Sequence, residues 1–193
     1  MESLDLRVLN EALAWKRAGH HVELVTVVQT WGSAPRPPGA LLAVRDDGMV
    51  SGSVSGGCIE DDLIARAKAA MALGASGTAP QHPSLVVYGV DKEEAARFGL
   101  PCGGTLRLVL EPLRDPAWLE QLLARTAEHR LVARTLDLAS GTVTLRDAMR
   151  GEGLQFDGHV LTTIFGPQWR LLLIGAGQLS QAVAQMANVL DFE

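Results

Sequence analysis

The stretch Thr30–Glu60, TWGSAPRPPGALLAVRDDGMVSGSVSGGCIE, decides how the chain is read. It holds a Pro/Gly-rich loop with a single arginine, an apolar strand, a turn and a second glycine-rich loop. That second loop ends in a cysteine and runs into a helix. Asp46-Asp47-Gly48 between two apolar runs is a hairpin signal, so Ala40–Arg45 and Met49–Ser53 are predicted to pair. Two glycine loops separated by one hairpin fall on the same edge of a sheet. Glycine allows close backbone approach to a ligand, and this edge reads as the floor of a small-molecule site.

Working outward, Leu4–Ala18 has the spacing of a helix, with Leu6, Leu9 and Leu13 on one face and Gly19 beyond its end. His21–Gln29 is β-branched and apolar, a strand buried on both faces. Ile59–Leu73 is a helix with Ile59, Leu63, Ala67 and Ala70 on one side. Ser84–Val90 and Thr105–Leu113 read as strands, with a short helix from Asp91 to Gly99 between them. Asp115-Pro116 opens another helix. Leu131–Leu138 and Thr142–Arg146 form a hairpin, and His159–Phe165 is a further strand. Trp169–Ile174 is predicted as a buried strand, Gly175–Gly177 as a turn and Gln178–Leu190 as a helix.

The expected fold is therefore α/β. Residues 1–167 make an α+β domain with a mixed sheet, and 168–193 the first β-α unit of a Rossmann-like domain. The sequence stops where a second strand of that unit should begin, so the unit is read as incomplete.

Composition narrows the function. The 193 residues are 47% apolar and 20% charged with a formal charge of −5, as for a globular protein with a core. Arginines are scattered, which argues against nucleic-acid binding. No apolar run approaches a membrane span, and charges throughout Met1–His21 exclude a signal-peptide pattern. Two cysteines make no disulfide framework, so a reducing cytoplasm is the expected location.

Ser53-Val54-Ser55-Gly56-Gly57-Cys58 places amides, two hydroxyls and a thiol at a helix start, a ready anion site. The same helix dipole would activate the thiol of Cys58. Against that, Glu60, Asp61 and Asp62 lie in the first turn and already satisfy the dipole. A tight strand-to-helix turn is thus the alternative. Both cysteines abut a Gly-Gly pair, as Gly56-Gly57-Cys58 and Cys102-Gly103-Gly104. If the two loops meet, their sulfurs would suit a soft metal or a sulfur-rich cofactor; otherwise they are unrelated buried thiols. Prolines hold Arg36 in an extended loop suited to a phosphate or carboxylate. Trp31 reads as an anchor for that loop, with stacking on a flat ligand as the alternative. Gly175 and Gly177 follow an expected strand, the context of a dinucleotide turn, although Ser180 replaces its third glycine. Conventional acid–base catalysis has no candidate pair.

Assembled, GSAPRPPG (Gly32–Gly39), GSVSGGCIE (Gly52–Glu60), YGV (Tyr88–Val90), FGLPCGGTL (Phe98–Leu106) and LLLIGAGQLS (Leu171–Ser180) make the chain resemble the XdhC/CoxI family of xanthine dehydrogenase accessory proteins. The resemblance implies a cytoplasmic chaperone. It would bind molybdenum cofactor (molybdopterin or its cytosine dinucleotide form), assist its sulfuration and insert it into a molybdenum hydroxylase. A cysteine desulfurase and a second copy of the chain would be further partners. On this reading Arg36, Ser53, Ser55, Gly56 and Gly57 face the phosphate, with Gly103 and Gly104 in the second loop. Cys58 and Cys102 face molybdenum or sulfide. The competing reading is an NAD(P)-dependent oxidoreductase with its nucleotide at Gly175 and Gly177.

Overall fold

Alternation along the first long strand organises the molecule. A computed structural model describes residues 4–31, 36–74, 82–89, 105–167, 171–189 and 192, with the side chains of 58, 71–74, 188 and 189 outside that description. Strand β1 (Val22–Trp31) pairs on one side with β2 (Leu41–Arg45) and on the other with β5 (Thr105–Pro112). β3 (Val50–Gly52) and β4 (Ser84–Tyr88) complete sheet A in the order β3-β2-β1-β5-β4. Val25, Val27, Leu42, Val44, Leu106, Leu108 and Leu110 project to one face, where Ile59, Leu63 and Ala67 of helix α2 (Cys58–Gly74) cover them. Val22, Leu24, Leu41 and Ala43 project to the other, against Val8, Leu9, Ala12 and Leu13 of α1 (Leu4–Arg17). Each strand of the centre is thus buried on both sides, as its continuous apolar character requires.

The same second face also meets helix α3 (Ala117–Ala127) and a four-stranded sheet B. Its strands are β6 (Val132–Asp137), β7 (Val143–Asp147), β8 (Gln155–Phe156) and β9 (Val160–Phe165), in the order β7-β6-β9-β8. Leu119 and Leu122 of α3 join the α1 cluster, and Val28 and Val109 of sheet A touch Leu136 and Leu161 of sheet B directly. Pro116 precedes α3, and Asp115 accepts a hydrogen bond of 2.9 Å from the Ala117 amide. Helix α4 (Gln178–Val189) lies near the end of the chain.

The α/β composition agrees with the sequence reading, but the strand pairing differs in one respect. Every pairing among the described strands is antiparallel, where a mixed sheet was expected. The reason is topological. Strands β3 and β4 run in the same direction, but α2 carries the chain from one edge of sheet A to the other, so they never become neighbours. The predicted buried strand over Trp169–Ile174 is also corrected. Leu171–Ile174 forms no strand, and Leu172 and Ile174 are 83% and 91% exposed. A strand needs a partner for its backbone, and none pairs with this segment among the described residues. The helix expected from Asp91 to Gly99 lies outside the described residues.

Gly52 closes β3 with φ +88, and a Cβ there would stand 2.2 Å from the Leu41 carbonyl oxygen and 2.7 Å from Val8 Cγ2. That oxygen accepts the Ser53 amide at 3.0 Å, so it cannot retreat without losing the bond. We expect Gly52→Ala to destabilise the protein by about 2–4 kcal/mol, read as a lowered urea midpoint; an unchanged midpoint would show that the turn yields.

Candidate functional site

At the end of β3 the chain turns through Ser53–Gly57 into α2, and the turn is built around one carboxylate. Gly56 (φ +86) and Gly57 (φ +129) take left-handed backbone that only glycine adopts without strain. This curls successive amides inward. Glu60 Oε1 accepts from the Ser53 hydroxyl at 2.8 Å, the Val54 and Ser55 amides at 2.9 Å each and the Gly56 amide at 3.3 Å. Glu60 Oε2 accepts from the Gly57 amide at 2.9 Å and from the Ser55 hydroxyl. Ser55 Oγ in turn accepts the Ile59 amide at 3.0 Å. Glu60 stands third in the helix, the position from which an acid reaches back to the preceding amides. Burial opposes its charge, but the Ser55 hydroxyl and amide, the Ser53 hydroxyl and the Val54 amide outweigh burial and hold the carboxyl at about 2. The anion cradle predicted from the sequence exists, and the protein's own carboxylate fills it.

Arg36 joins this turn. Its Nε donates to the Ser53 carbonyl at 3.2 Å, while its terminal nitrogens have no hydrogen-bond partner among the described residues. Arg36 lines a cavity of about 390 Å³ between the Pro37–Ala40 turn and β9. In that cavity's wall the Thr163 hydroxyl is buried without a hydrogen-bond partner among the described residues. On the far side of α2, the Tyr88 hydroxyl donates to Asp62 at 2.7 Å, and Arg66 donates to the same oxygen at 2.7 Å. Burial and the Asp62 carboxylate push the Tyr88 pKa up, so this hydroxyl is a neutral donor. The bond ties β4, at one edge of sheet A, to the start of the helix that leaves the other edge.

The strand directions bring several of the predicted loops to one end of sheet A. β1 ends there at Trp31, β3 at Gly52 and β4 at Tyr88, and β5 begins there at Thr105. Arg36, Ser53, Ser55, Gly56, Gly57 and the backbone of Cys58 are gathered in this region. Cys102, Gly103 and Gly104 lie outside the described residues, so the meeting of the two thiols does too. Gly177 directly precedes α4, and Gly175 has φ +127; the segment before them is the exposed one described above. Trp31, expected to anchor the loop that follows it, is 70% exposed, and residues 32–35 of that loop lie outside the described residues. Among the described residues no three His, Cys, Asp or Glu side chains are grouped to hold a metal ion, and no helix is long and apolar enough to cross a membrane.

Three residues were missed in the sequence. Gln29 and Arg107 share a hydrogen bond of 3.1 Å beside Trp31, across strands 78 positions apart. No local pattern announces such a pair. Burial raises the Glu23 carboxyl to about 7 against the opposing pull of Arg66. Glu23 stands near the start of β1, however, at the end of the sheet away from the glycine turn.

The chain is 32% identical over 197 aligned residues to an Escherichia coli (strain K12) protein named molybdenum cofactor insertion chaperone PaoD, covering 97% of this chain and 55% of that one. It thus spans about half the length of that relative. A Bacillus halodurans crystal structure described as a xanthine dehydrogenase shares the fold, with a TM-score of 0.67 at 23% identity over 97% of this chain and 60% of that one. Residues 15–88, which run from α1 through the Glu60-centred turn to Tyr88, match the XdhC and CoxI family. Through that segment the chain is similar to the XdhC and CoxI family.

Proposed function

We propose that this chain is the cargo-holding part of a chaperone for molybdenum cofactor. It would take the molybdopterin or cytosine dinucleotide form, support its sulfuration and insert it into a molybdenum hydroxylase of the xanthine dehydrogenase type. The observation that carries this reading is the identity to an insertion chaperone over nearly the whole of this chain. The chemistry on the page fits such a cargo. It is anionic through its phosphate, flat at its pterin and rich in sulfur. Arg36 offers terminal guanidinium nitrogens without a partner among the described residues, on a proline-stiffened loop, a donor set suited to a phosphate. A Cβ at Gly57 would meet nothing within 4 Å, so a ligand can approach that backbone closely.

Ser53, Ser55, Gly56 and Gly57 shape the turn that presents Cys58, since their donors are taken by Glu60. A cargo anion reaches those donors only by displacing Glu60. We assign Cys58 and Cys102, with Gly103 and Gly104 beside the latter, to the sulfur end of the cargo. A cysteine desulfurase is the source we assign to its sulfur, and a second copy of the chain is a further partner. The setting we assign is the cytoplasm. Residues 168–193 are assigned to the opening of a Rossmann-like unit.

The test is to express the protein in a host replete in molybdenum cofactor and to measure molybdenum and oxidised pterin fluorescence in the purified fraction. Both are expected in the wild type. Arg36→Ala should lower the retained pterin about tenfold, the loss of a charge-assisted hydrogen bond. A wild-type fraction carrying neither pterin nor molybdenum would overturn the reading.

A further inference from the structure

The register shift in β1 re-aims side chains at the end of the sheet A face opposite α2. Up to Val28 the strand alternates: Val25 and Val27 face α2, while Leu24 and Val28 face the other side. Between Val27 and Gln29 one extra residue is inserted against β5. Val27 then pairs with Leu108, and Gln29 with Arg107. Directly paired residues project to the same face. The insertion therefore swings Gln29 and Trp31 away from the α2 side and onto the side of Arg107, Thr105 and Val87. In regular register both side chains would lie on the helix-covered face. Such bulges re-aim side chains beside functional sites.

What they create is a pocket of about 340 Å³ lined by Gln29, Trp31, Val87, Thr105 and Arg107. That is the small end of the range of about 300–1,000 Å³ for ligand clefts, room for one ring system rather than a whole nucleotide-bearing cofactor. Trp31 is 70% exposed, so core packing does not explain its place. Arg107 Nη1 donates to the Gln29 side-chain oxygen at 3.1 Å. This leaves the Gln29 NH₂ and the other guanidinium N–H groups as donors on the rim, with no acidic partner among the described residues. An indole face beside a row of donors suits a flat heterocycle with a ring carbonyl, as arginine suits the acceptor edge of a purine. The position is also informative: Trp31 immediately precedes the Gly32–Gly39 motif, and Thr105 immediately follows Cys102-Gly103-Gly104.

We propose that this pocket seats the pterin ring of the cargo, stacked on Trp31 with its ring carbonyl toward Arg107 and Gln29. The inference rests on the chaperone reading above and adds where the flat end of the cargo lies. Oxidised neopterin, a pterin without phosphate or dithiolene, is the probe. It is titrated into the full chain while its polarisation and the quenching of tryptophan emission are followed. Saturable binding is expected in the wild type. Trp31→Ala should weaken it about tenfold or more, Gln29→Leu several-fold, and Trp31→Phe less than about threefold, because the phenyl ring still stacks. Trp31 is exposed, so the urea midpoint should stay at the wild-type value and exclude unfolding as the cause.

Equal neopterin binding by wild type and Trp31→Ala overturns the proposal. So does a wild type that binds no neopterin yet purifies with molybdenum and pterin; the chaperone reading then stands with the ring seated elsewhere. Absence of both removes the two readings together. A Trp31→Ala protein that keeps neopterin affinity but no longer delivers cofactor to the hydroxylase would make this face a docking surface for that enzyme, and would also overturn the pterin seat.

Discussion

Glu60→Ala is expected to destabilise the protein by about 3–5 kcal/mol, among the largest effects of any single substitution in the chain. The change removes one acceptor from four amides and two hydroxyls at once. The Ser55 amide and hydroxyl are buried with it, and a buried donor left unsatisfied costs about 1–3 kcal/mol. Water entering the vacated space would recover part of this, which keeps the loss below the simple sum. Glu60→Gln is the informative companion. Its carbonyl oxygen can keep the Oε1 set, while its NH₂ turns a donor toward the Gly57 amide and the Ser55 hydroxyl.

The carboxylate also sets a pH signature. Its pKa falls from an ordinary 4.5 to about 2 in the folded chain. The unfolded chain therefore binds the proton more readily between those values, and stability rises with pH across that window. The contribution, about 3 kcal/mol, is complete above about pH 4.5 and is lost as pH falls through 2. Urea midpoints measured from pH 5.5 down to 2.5 should fall more steeply for the wild type than for Glu60→Gln. Parallel curves would mean that the turn holds its shape without an ionised group, and that the amides have another acceptor.

What could be read from the sequence was local. The hairpin at Asp46-Asp47-Gly48 carries its own chemistry: Asp47 accepts from the Met49 amide at 3.0 Å and pairs with Arg45. Those bonds each span two residues, so the pattern is visible in one window. Leu9 and Leu13, predicted for the inner face of α1, are buried as their spacing implies, because helix geometry alone sets that face. The first turn of α2 was legible to the same extent. Acids near a helix start are expected, but which donors converge on Glu60 depends on the positive φ values of Gly56 and Gly57. The bulge that re-aims Gln29 and Trp31 was not visible at all, since its cause is the register of β5 across the sheet. Leu171–Ile174 fails for a related reason. An apolar run states that a segment can be buried, and only a partner strand makes it so. The antiparallel pairing of β4 likewise depends on how far α2 carries the chain, which a strand–helix–strand pattern leaves open.

Arg134 was equally hidden. It falls on the same face of β6 as the buried Val132 and Leu136, the place of an apolar residue, and is 3% exposed; its Nη2 donates to both carboxylate oxygens of Glu111, itself 5% exposed, on β5. Its guanidinium lies 4.1 Å from the Trp118 ring centroid on α3, so the group joins sheet A, α3 and sheet B. Arg134 Nε is buried without a hydrogen-bond partner among the described residues, which limits what this pair contributes. Removing two charges from water costs several kcal/mol per ion, and attraction repays that only when every donor is satisfied. Either half alone should therefore be damaging. Glu111→Leu and Arg134→Met are each expected to lose about 3–5 kcal/mol, because each strands the other charge in the interior. The double variant should recover most of the loss and come within about 1 kcal/mol of the wild type or above it, with methionine packing on the Trp118 ring in place of the guanidinium. Urea midpoints of the four proteins form the cycle that decides it. A double variant as destabilised as either single one would show that the pair stabilises the interface between the sheets outright, despite its orphaned nitrogen, and additive losses would show that the two side chains act independently. Recovery would assign it instead to alignment: Glu111 lies on the strand that begins at Thr105 and carries Arg107, so the pair fixes β5 and with it the pocket beside Trp31. The double variant should then regain stability while its neopterin affinity stays below that of the wild type.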